Sequence, residues 1–244
     1  MRINIAAMQD AFHAAQKGKR SRHSPADRTS PSLWQYDYLA LSTLRADIAT
    51  LIAEVPGRGR ALDIGADKSP YRAILEQRGF TVETIDVAPE SGADFIGSVE
   101  DTGLPEASFD LVLCTQVLEH CDDPWKGIRE IRRILKPGGH ALLSVPHVWF
   151  YHPHPKDHWR FTQEGVVRLC AEGGLVPRAL LSQGGSLLSA AQVMNFLAYG
   201  VLGPAGAPLY AGINLLGRAI DRLVPNALFC LNLACLAQRA DALA

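Results

Sequence analysis

Histidine and acidic side chains crowd into one short stretch of this sequence. Within twelve residues lie His147, His152, His154, Asp157 and His158, with aromatic residues and prolines between them. Imidazole titrates near neutral pH, so the stretch is a candidate for general-base chemistry. A metal site is less favoured, because no i,i+4 histidine pair and no nearby cysteine supply a recognised ligand spacing. We therefore predict a pocket wall that holds no metal; a loop held structurally by an Asp–Arg pair is the equally supported alternative.

The surrounding chain alternates between short apolar strands and helices from about residue 60 onward. Strands are predicted at residues 60–65, 81–86, 93–98, 109–115 and 140–146. One helix is predicted to begin at Pro70 with Ser69 as its cap, and a second covers 125–136 and ends at Pro137. This alternation indicates parallel strands with crossover helices, hence an open α/β sheet whose ligands bind at the carboxyl ends of the strands.

Glycine and acidic residues stand at two of those strand ends. The first strand runs into Asp63 and Gly65, and the second ends at Asp86, 21 residues after Gly65. Glycine lets the backbone approach a ligand closely, and an acid at this distance can accept hydrogen bonds from both hydroxyls of a ribose. The pair predicts an adenosine-containing cofactor. A dinucleotide site needs two further glycines, and Asp67 would repel a pyrophosphate, so an NAD(P)-dependent oxidoreductase is disfavoured.

Several ordered motifs resemble those of class I S-adenosylmethionine-dependent methyltransferases, in particular their type 11-like group. They are ALDIGADKSPY (61–71), TIDV (84–87), FIGSVEDTGLPEASFDLVLCTQVLEH (95–120) and REIRRILKPGGHALLSVP (129–146). The resemblance implies a Rossmann-like seven-stranded sheet of parallel strands with an antiparallel last strand, at residues 227–239, and helices on both faces. It implies S-adenosylmethionine as the cofactor and methyl transfer to a small-molecule, sugar or lipid-linked acceptor. A degenerate fold that acts as a binding or scaffolding subunit is the alternative.

The resemblance also assigns roles to residues by their position. Those expected around the cofactor are Asp63, Gly65, Ala66, Asp67, Asp86, Val87, Val99, Glu100, Thr115 and Gln116. Those expected to bind the acceptor are Trp149, Tyr151, Asp157 and Arg160, and the candidate bases are His120, His152 and His154. The family usually has a second glycine where this chain has Asp67, and aspartate tolerates left-handed backbone angles better than most residues.

Composition and charge give no indication of a nucleic-acid-binding or secreted protein. A net charge of −1 over 244 residues gives no electrostatic reason to expect a nucleic-acid partner. Five cysteines without a CxxC pair predict buried, reduced thiols, and the first residues do not read as a signal peptide, so a cytoplasmic protein is expected.

Two segments flank or interrupt the expected catalytic domain. Residues 1–57 read as an N-terminal helical extension with a flexible basic linker, and residues 58–244 as the methyltransferase domain. This domain includes an apolar helical insertion at about 179–222, and residues 179–217 hold no charge. The insertion is expected to pack on the sheet or on a second subunit. The other reading is a peripheral contact with the inner face of the membrane, or a lid over a lipid-like acceptor.

Overall fold

The computed structural model describes residues 28–153, 156–226 and 228–240. A helix predicted at residues 4–16, most of the basic linker and the candidate base His154 lie outside the described residues.

The described part of the chain is built around a seven-stranded sheet. Its strands are β1 (Gly59–Ile64), β2 (Phe80–Asp86), β3 (Phe95–Ile96), β4 (Phe109–Thr115), β5 (Leu135–Pro146), β6 (Leu175–Gln183) and β7 (Asn232–Arg239). They lie in the order β3-β2-β1-β4-β5-β7-β6, and β7 runs antiparallel to both β5 and β6. The predicted Rossmann-like sheet with its antiparallel last strand is therefore confirmed. The parallel strands β1 to β5 end at the same edge of the sheet.

Six α-helices accompany the sheet within the described residues. They are α1 (Tyr38–Glu54), α2 (Arg72–Gln77), α3 (Pro124–Ile134), α4 (Gln163–Glu172), α5 (Ser186–Leu202) and α6 (Ala207–Leu223). Helices α1 and α2 bury their apolar side chains against one face of the sheet, and α3 and α4 bury theirs against the other. All five cysteines are buried and unpaired within these layers.

Helix α3 begins where the local sequence provides a proline in the first turn and a capping aspartate before it. Pro124 occupies the first turn, where its missing N–H costs nothing, and the Asp123 carboxylate accepts a 3.0 Å hydrogen bond from the Lys126 amide. Apolar residues three apart, Ile128 and Ile131, then face the core. Replacing either isoleucine with alanine would open a cavity in a fully buried layer. This would lower the free energy of unfolding by about 2–5 kcal/mol.

Several predicted boundaries were wrong. The last strand, expected at 227–239, begins at Asn232, and the strand expected at 93–98 covers only Phe95–Ile96. Helix α2 begins at Arg72 rather than Pro70, because the Ser69 hydroxyl donates to the buried Asp63 carboxylate instead of capping the helix. The helix predicted at 125–136 ends at Ile134, and β5 takes over at Leu135. Residues 179–183, expected in the helical insertion, belong to β6 and pair with β7.

The insertion itself is a helical hairpin. Helices α5 and α6 are joined by a short 3-10 turn, Gly203–Gly206, and pack against each other and against α1. Among the described residues, Ser186–Leu223 is long and apolar enough to cross a membrane only when the two helices and the turn between them are counted as one continuous run.

Candidate functional site

The loop after β1 has the tight, left-handed geometry of a ligand-binding turn. Gly65, Asp67 and Ser69 all have positive φ, at +66°, +45° and +45°. Asp67 thus adopts a conformation usually left to glycine, as its side-chain type allows. Ala66 is buried beside it. Asp63 braces the turn from below by accepting a 2.7 Å hydrogen bond from Ser69, and burial raises its pKa to about 7.

Gly65 makes the closest approach in this loop. A Cβ added there would lie 2.4 Å from Cγ2 of Val117, well inside van der Waals contact. The backbone of the first loop is therefore pressed against the chain that follows β4. Only glycine allows this approach at a positive φ.

Asp86 lies at the tip of β2, directly beside that loop. Its Oδ2 accepts from the Asp67 amide at 3.0 Å, and its Oδ1 accepts from the Ala88 amide at 2.9 Å. A carboxylate can accept about four hydrogen bonds, so each oxygen keeps one lone pair for a further donor. Asp86 can therefore brace the loop and bind two ribose hydroxyls together.

The next predicted residues differ in what they can offer a cofactor. Val87 is exposed beyond the end of β2. Val99 is buried and packs in the core below Gly127, so it offers a ligand its backbone rather than its side chain. Glu100 accepts a 2.9 Å hydrogen bond from the Asp123 amide and thereby ties this loop to the start of α3.

The end of β4 leads from the cofactor side towards the histidine block. Thr115 is its last residue and is half-buried. Gln116 has a φ of +55°, and its amide and its side chain both donate to Ser144, at 2.8 and 3.0 Å. The chain then turns through a 3-10 helix, Leu118–His120, in which Glu119 is fully buried.

An ion pair braces the loop at residues 148–161. Arg160 donates to both oxygens of Asp157 at 2.6 and 2.8 Å, and it also donates to the Phe150 carbonyl at 2.8 Å. Burial disfavours the charged form of Asp157, but the hydrogen bonds from Arg160 and from the His152 amide outweigh it and lower the pKa of Asp157. This is the structural role that the sequence left as an alternative.

The aromatic residues of the loop meet the helical hairpin. Phe150 stacks on Phe196 of α5 with ring centroids 3.9 Å apart, and Trp149 packs edge-on against both rings. Tyr151 is exposed. The hairpin therefore forms part of the wall beside the loop, a placement compatible with the alternative of a lid over the acceptor.

Two of the predicted bases converge on a buried acid. The Nε2 atoms of His120 and His152 lie 3.8 and 3.9 Å from Oε1 of Glu119. The amides of His158 and Trp159 donate to the Glu119 carbonyl, which locks the loop onto the 3-10 turn. Burial raises the pKa of Glu119 to about 8. The His158 ring turns away to Asp122, 3.2 Å distant.

The sequence analysis assigned no role to Glu119. Glu119 and His152 are 33 residues apart, and no local spacing relates them. The signal available was an acid next to a histidine directly after a buried strand, at the edge where ligands bind in this class of sheet.

Comparison with known proteins agrees with this geometry. Residues 35–175 match a family model described as a methyltransferase domain. The chain is 35% identical over 164 residues to a ubiquinone biosynthesis O-methyltransferase of Xanthomonas axonopodis pv. citri, covering 59% of this chain and 66% of that protein. It spans 50% of the length of further relatives of that name in the same genus.

Solved structures share the fold at low identity. A Burkholderia thailandensis 1,6-didemethyltoxoflavin-N1-methyltransferase with bound S-adenosylhomocysteine has a TM-score of 0.56 at 16% identity, covering 97% of this chain and 88% of that one. A Mesorhizobium loti S-adenosylmethionine-dependent methyltransferase has a TM-score of 0.52 at 16% identity, covering 82% and 100%. The glycine turn, the acid at the end of β2 and the matched family model together place this chain in the family of class I S-adenosylmethionine-dependent methyltransferases.

Proposed function

We propose that this chain transfers the methyl group of S-adenosylmethionine to a hydroxyl oxygen of a small acceptor. The observation that carries the proposal is the convergence of Glu119, His120 and His152 beside the strand end that faces Gly65. The similarity to proteins named ubiquinone biosynthesis O-methyltransferases supports an oxygen acceptor on an aromatic ring.

The residues fit this chemistry step by step. S-adenosylmethionine, when bound, supplies a methyl carbon that is electrophilic because it is attached to a sulfonium. Asp86 and the turn at Gly65 hold the cofactor's ribose and methionine ends. Trp149, Phe150 and Phe196 shield the site from water and orient the acceptor, and this positioning supplies most of the rate in such a transfer. When the acceptor oxygen is methylated, its hydroxyl proton would pass to Nε2 of His152, which lies beside the buried Glu119 side chain.

A transfer assay tests this proposal directly. The full chain is incubated with methyl-tritiated S-adenosylmethionine and a catechol, and the product is compared with that from an aniline of similar shape. We expect label in an aryl methyl ether. Label on the aniline alone, or none on either acceptor despite cofactor binding, would contradict the proposal, and the second result would favour a binding subunit.

A matched pair of variants locates the chemistry. His152→Ala should lower methyl transfer at least about a hundredfold, the scale of a lost proton-transfer group, while leaving S-adenosylhomocysteine affinity unchanged. His158→Ala is the control, because it lies on the same loop but its ring faces Asp122. Equal activity in the two variants would remove His152 from the reaction.

A further inference from the structure

We propose that Glu119, His120 and His152 bind one divalent transition-metal cation. The occupancy of this site stands on its own geometry, and only its use in catalysis rests on the proposed function. One ligand atom from each side chain lies within 4.8 Å of the other two. Sequence spacing gave no reason to expect this, because the three residues come from a 3-10 turn and a distant loop.

The distances are close to those that a small cation imposes. Zinc binds imidazole nitrogen and carboxylate oxygen at about 2.0–2.2 Å, which sets neighbouring ligands about 3.4 Å apart in a tetrahedron. Oε1 of Glu119 lies 3.8 Å from Nε2 of His120 and 3.9 Å from Nε2 of His152. A contraction of a few tenths of an ångström would complete the coordination. The same distances are too long for hydrogen bonds between the groups.

The other nitrogen of each ring is already fixed. Nδ1 of His120 faces the Lys156 carbonyl, and Nδ1 of His152 faces the Phe150 carbonyl at 2.9 Å. A carbonyl only accepts, so each Nδ1 carries the proton and each Nε2 carries the lone pair. Metal-bound histidines in proteins are oriented in this way, by a backbone carbonyl or carboxylate on the second nitrogen.

Glu119 is the second, independent observation. Its side chain is 0% exposed, and neither carboxylate oxygen has a hydrogen-bond partner. A fully buried carboxyl group without hydrogen-bond partners is unfavourable, and a bound cation would satisfy its oxygens. Glu119 therefore points into the cluster as an unsatisfied ligand.

The donor set selects the class of metal. Two imidazoles and one carboxylate suit Zn²⁺ or Fe²⁺, whereas Mg²⁺ and Ca²⁺ prefer oxygen ligands throughout. Three protein ligands leave an open position on a four-coordinate ion, which an acceptor hydroxyl can occupy. With a cation bound, Nε2 of His152 would be a ligand and would no longer serve as the base. The cation would instead favour loss of the hydroxyl proton to water, and the deprotonated oxygen is the form that attacks the methyl carbon.

Calorimetric titration of the full chain tests the site. Protein purified without a histidine tag is treated with a chelator, dialysed, and titrated with Zn²⁺ and with Mg²⁺. We expect one Zn²⁺ per chain and weaker binding of Mg²⁺. Glu119→Gln and His152→Ala should each weaken Zn²⁺ binding at least about tenfold, whereas His158→Ala should bind like the parent.

S-adenosylhomocysteine affinity, measured on the same samples, shows that each variant remains folded. Unchanged Zn²⁺ binding in Glu119→Gln and His152→Ala, or none in the parent, would overturn the inference. In that case, methyl transfer by the chelated protein would leave the proposed function standing without a metal. Stoichiometric Zn²⁺ with no methyl transfer would support the site and contradict the function.

A second inference rests on the helical hairpin, which buries polar side chains and exposes apolar ones. Four polar side chains on α5 and α6 are completely buried, and they are Ser189, Gln192, Asn195 and Asn214. The outer face carries exposed apolar side chains, and they are Met194, Leu197, Val201, Leu202, Leu209, Leu215 and Leu216. Water-soluble helices show the opposite arrangement. We infer that this outer face docks on an anionic lipid bilayer.

Internal hydrogen bonds fix the hairpin in this orientation. Asn195 donates to Asn214 at 2.7 Å, and Asn214 donates in turn to the carbonyls of Leu33 and Gln35. Gln192 donates to the Tyr36 carbonyl at 2.9 Å. Turning the polar face outward would break all of these bonds, so the apolar face stays exposed.

The arginines beside the outer face, and the lengths of α5 and α6, indicate that this face contacts a membrane surface. The uncharged run ends at Arg218, and with Arg222 this residue lines a cleft beside Leu215. Arginines next to an apolar helix face match anionic headgroups above acyl chains. Each helix has 17 residues, about 25 Å at 1.5 Å per residue, which is short of the ~30 Å bilayer core. The hairpin therefore lies in the interface rather than crossing it.

Vesicle flotation tests this inference. The full chain should float with vesicles of phosphatidylcholine and phosphatidylglycerol. The double variant Leu197→Asp, Leu216→Asp should stay in the bottom fraction and keep its thermal stability. Val167→Asp is the control, because Val167 is also exposed but lies on α4. A parent that ignores these vesicles would overturn the inference, as would a parent dimer that the double variant splits into monomers.

Discussion

Replacing Asp86 with alanine should weaken S-adenosylhomocysteine binding by at least about a hundredfold. The carboxylate would lose two hydrogen bonds from the ribose hydroxyls, each worth about 1.5–3 kcal/mol to an ionised acceptor. Their sum of about 3–6 kcal/mol corresponds to two to four orders of magnitude in the dissociation constant. The variant also loses the bonds that the Asp67 and Ala88 amides donate to Asp86, which loosens the turn.

Asp94→Ala is the matched control for that measurement. Asp94 also attaches to β2, through a 2.8 Å hydrogen bond from the Thr84 amide and a 2.7 Å bond from the Thr84 hydroxyl, and its ion pair is with Arg72 of α2. Its loss should leave the calorimetric affinity unchanged. Parent-like affinity in Asp86→Ala would show that the ribose lies elsewhere.

Replacing Gly65 with alanine should abolish measurable binding at micromolar cofactor. The new side chain meets Cγ2 of Val117 at 2.4 Å, and its φ of +66° costs an L-residue about 1–2 kcal/mol even without the collision. The loop must therefore move away from Val117, and this distorts the turn that would hold the cofactor.

Two further variants separate collision from backbone strain. Gly103 has the same φ of +66° and nothing within 4 Å of its Cβ position, so Gly103→Ala carries the strain alone and should bind normally. Adding Val117→Ala to Gly65→Ala removes the colliding methyl group and should recover part of the affinity. If Gly103→Ala lost binding as completely as Gly65→Ala, the effect would be general destabilisation instead.

The cofactor side of the site was predictable from the sequence because its determinants are local. Strand β4 was predicted at the residues it occupies, 109–115, and Asp86 was predicted at the tip of β2. Each signal is an apolar run followed directly by a turn residue or an acid, and the parallel topology then brings the strand ends together.

The arrangement of the residues expected to face the acceptor could not be predicted, because it depends on contacts between segments far apart in the chain. The meeting of Glu119 with His152 requires β5 to return the chain to the same sheet edge. Ser69 was expected to cap a helix, but its hydroxyl donates instead to the buried Asp63 side chain, because a buried acceptor left unpaired is costly. The polar residues of α5 were visible in the sequence, whereas their burial against the carbonyls before α1 was not.

A crystal structure of the full chain with bound S-adenosylhomocysteine would be the most direct test of the proposed site of methyl transfer. We expect both ribose hydroxyls within hydrogen-bond distance of the Asp86 carboxylate. We also expect the sulfur to point along the 3-10 turn towards Glu119 and His152. A ligand bound away from Asp86, or a sulfur that faces away from the Glu119 cluster, would contradict the account.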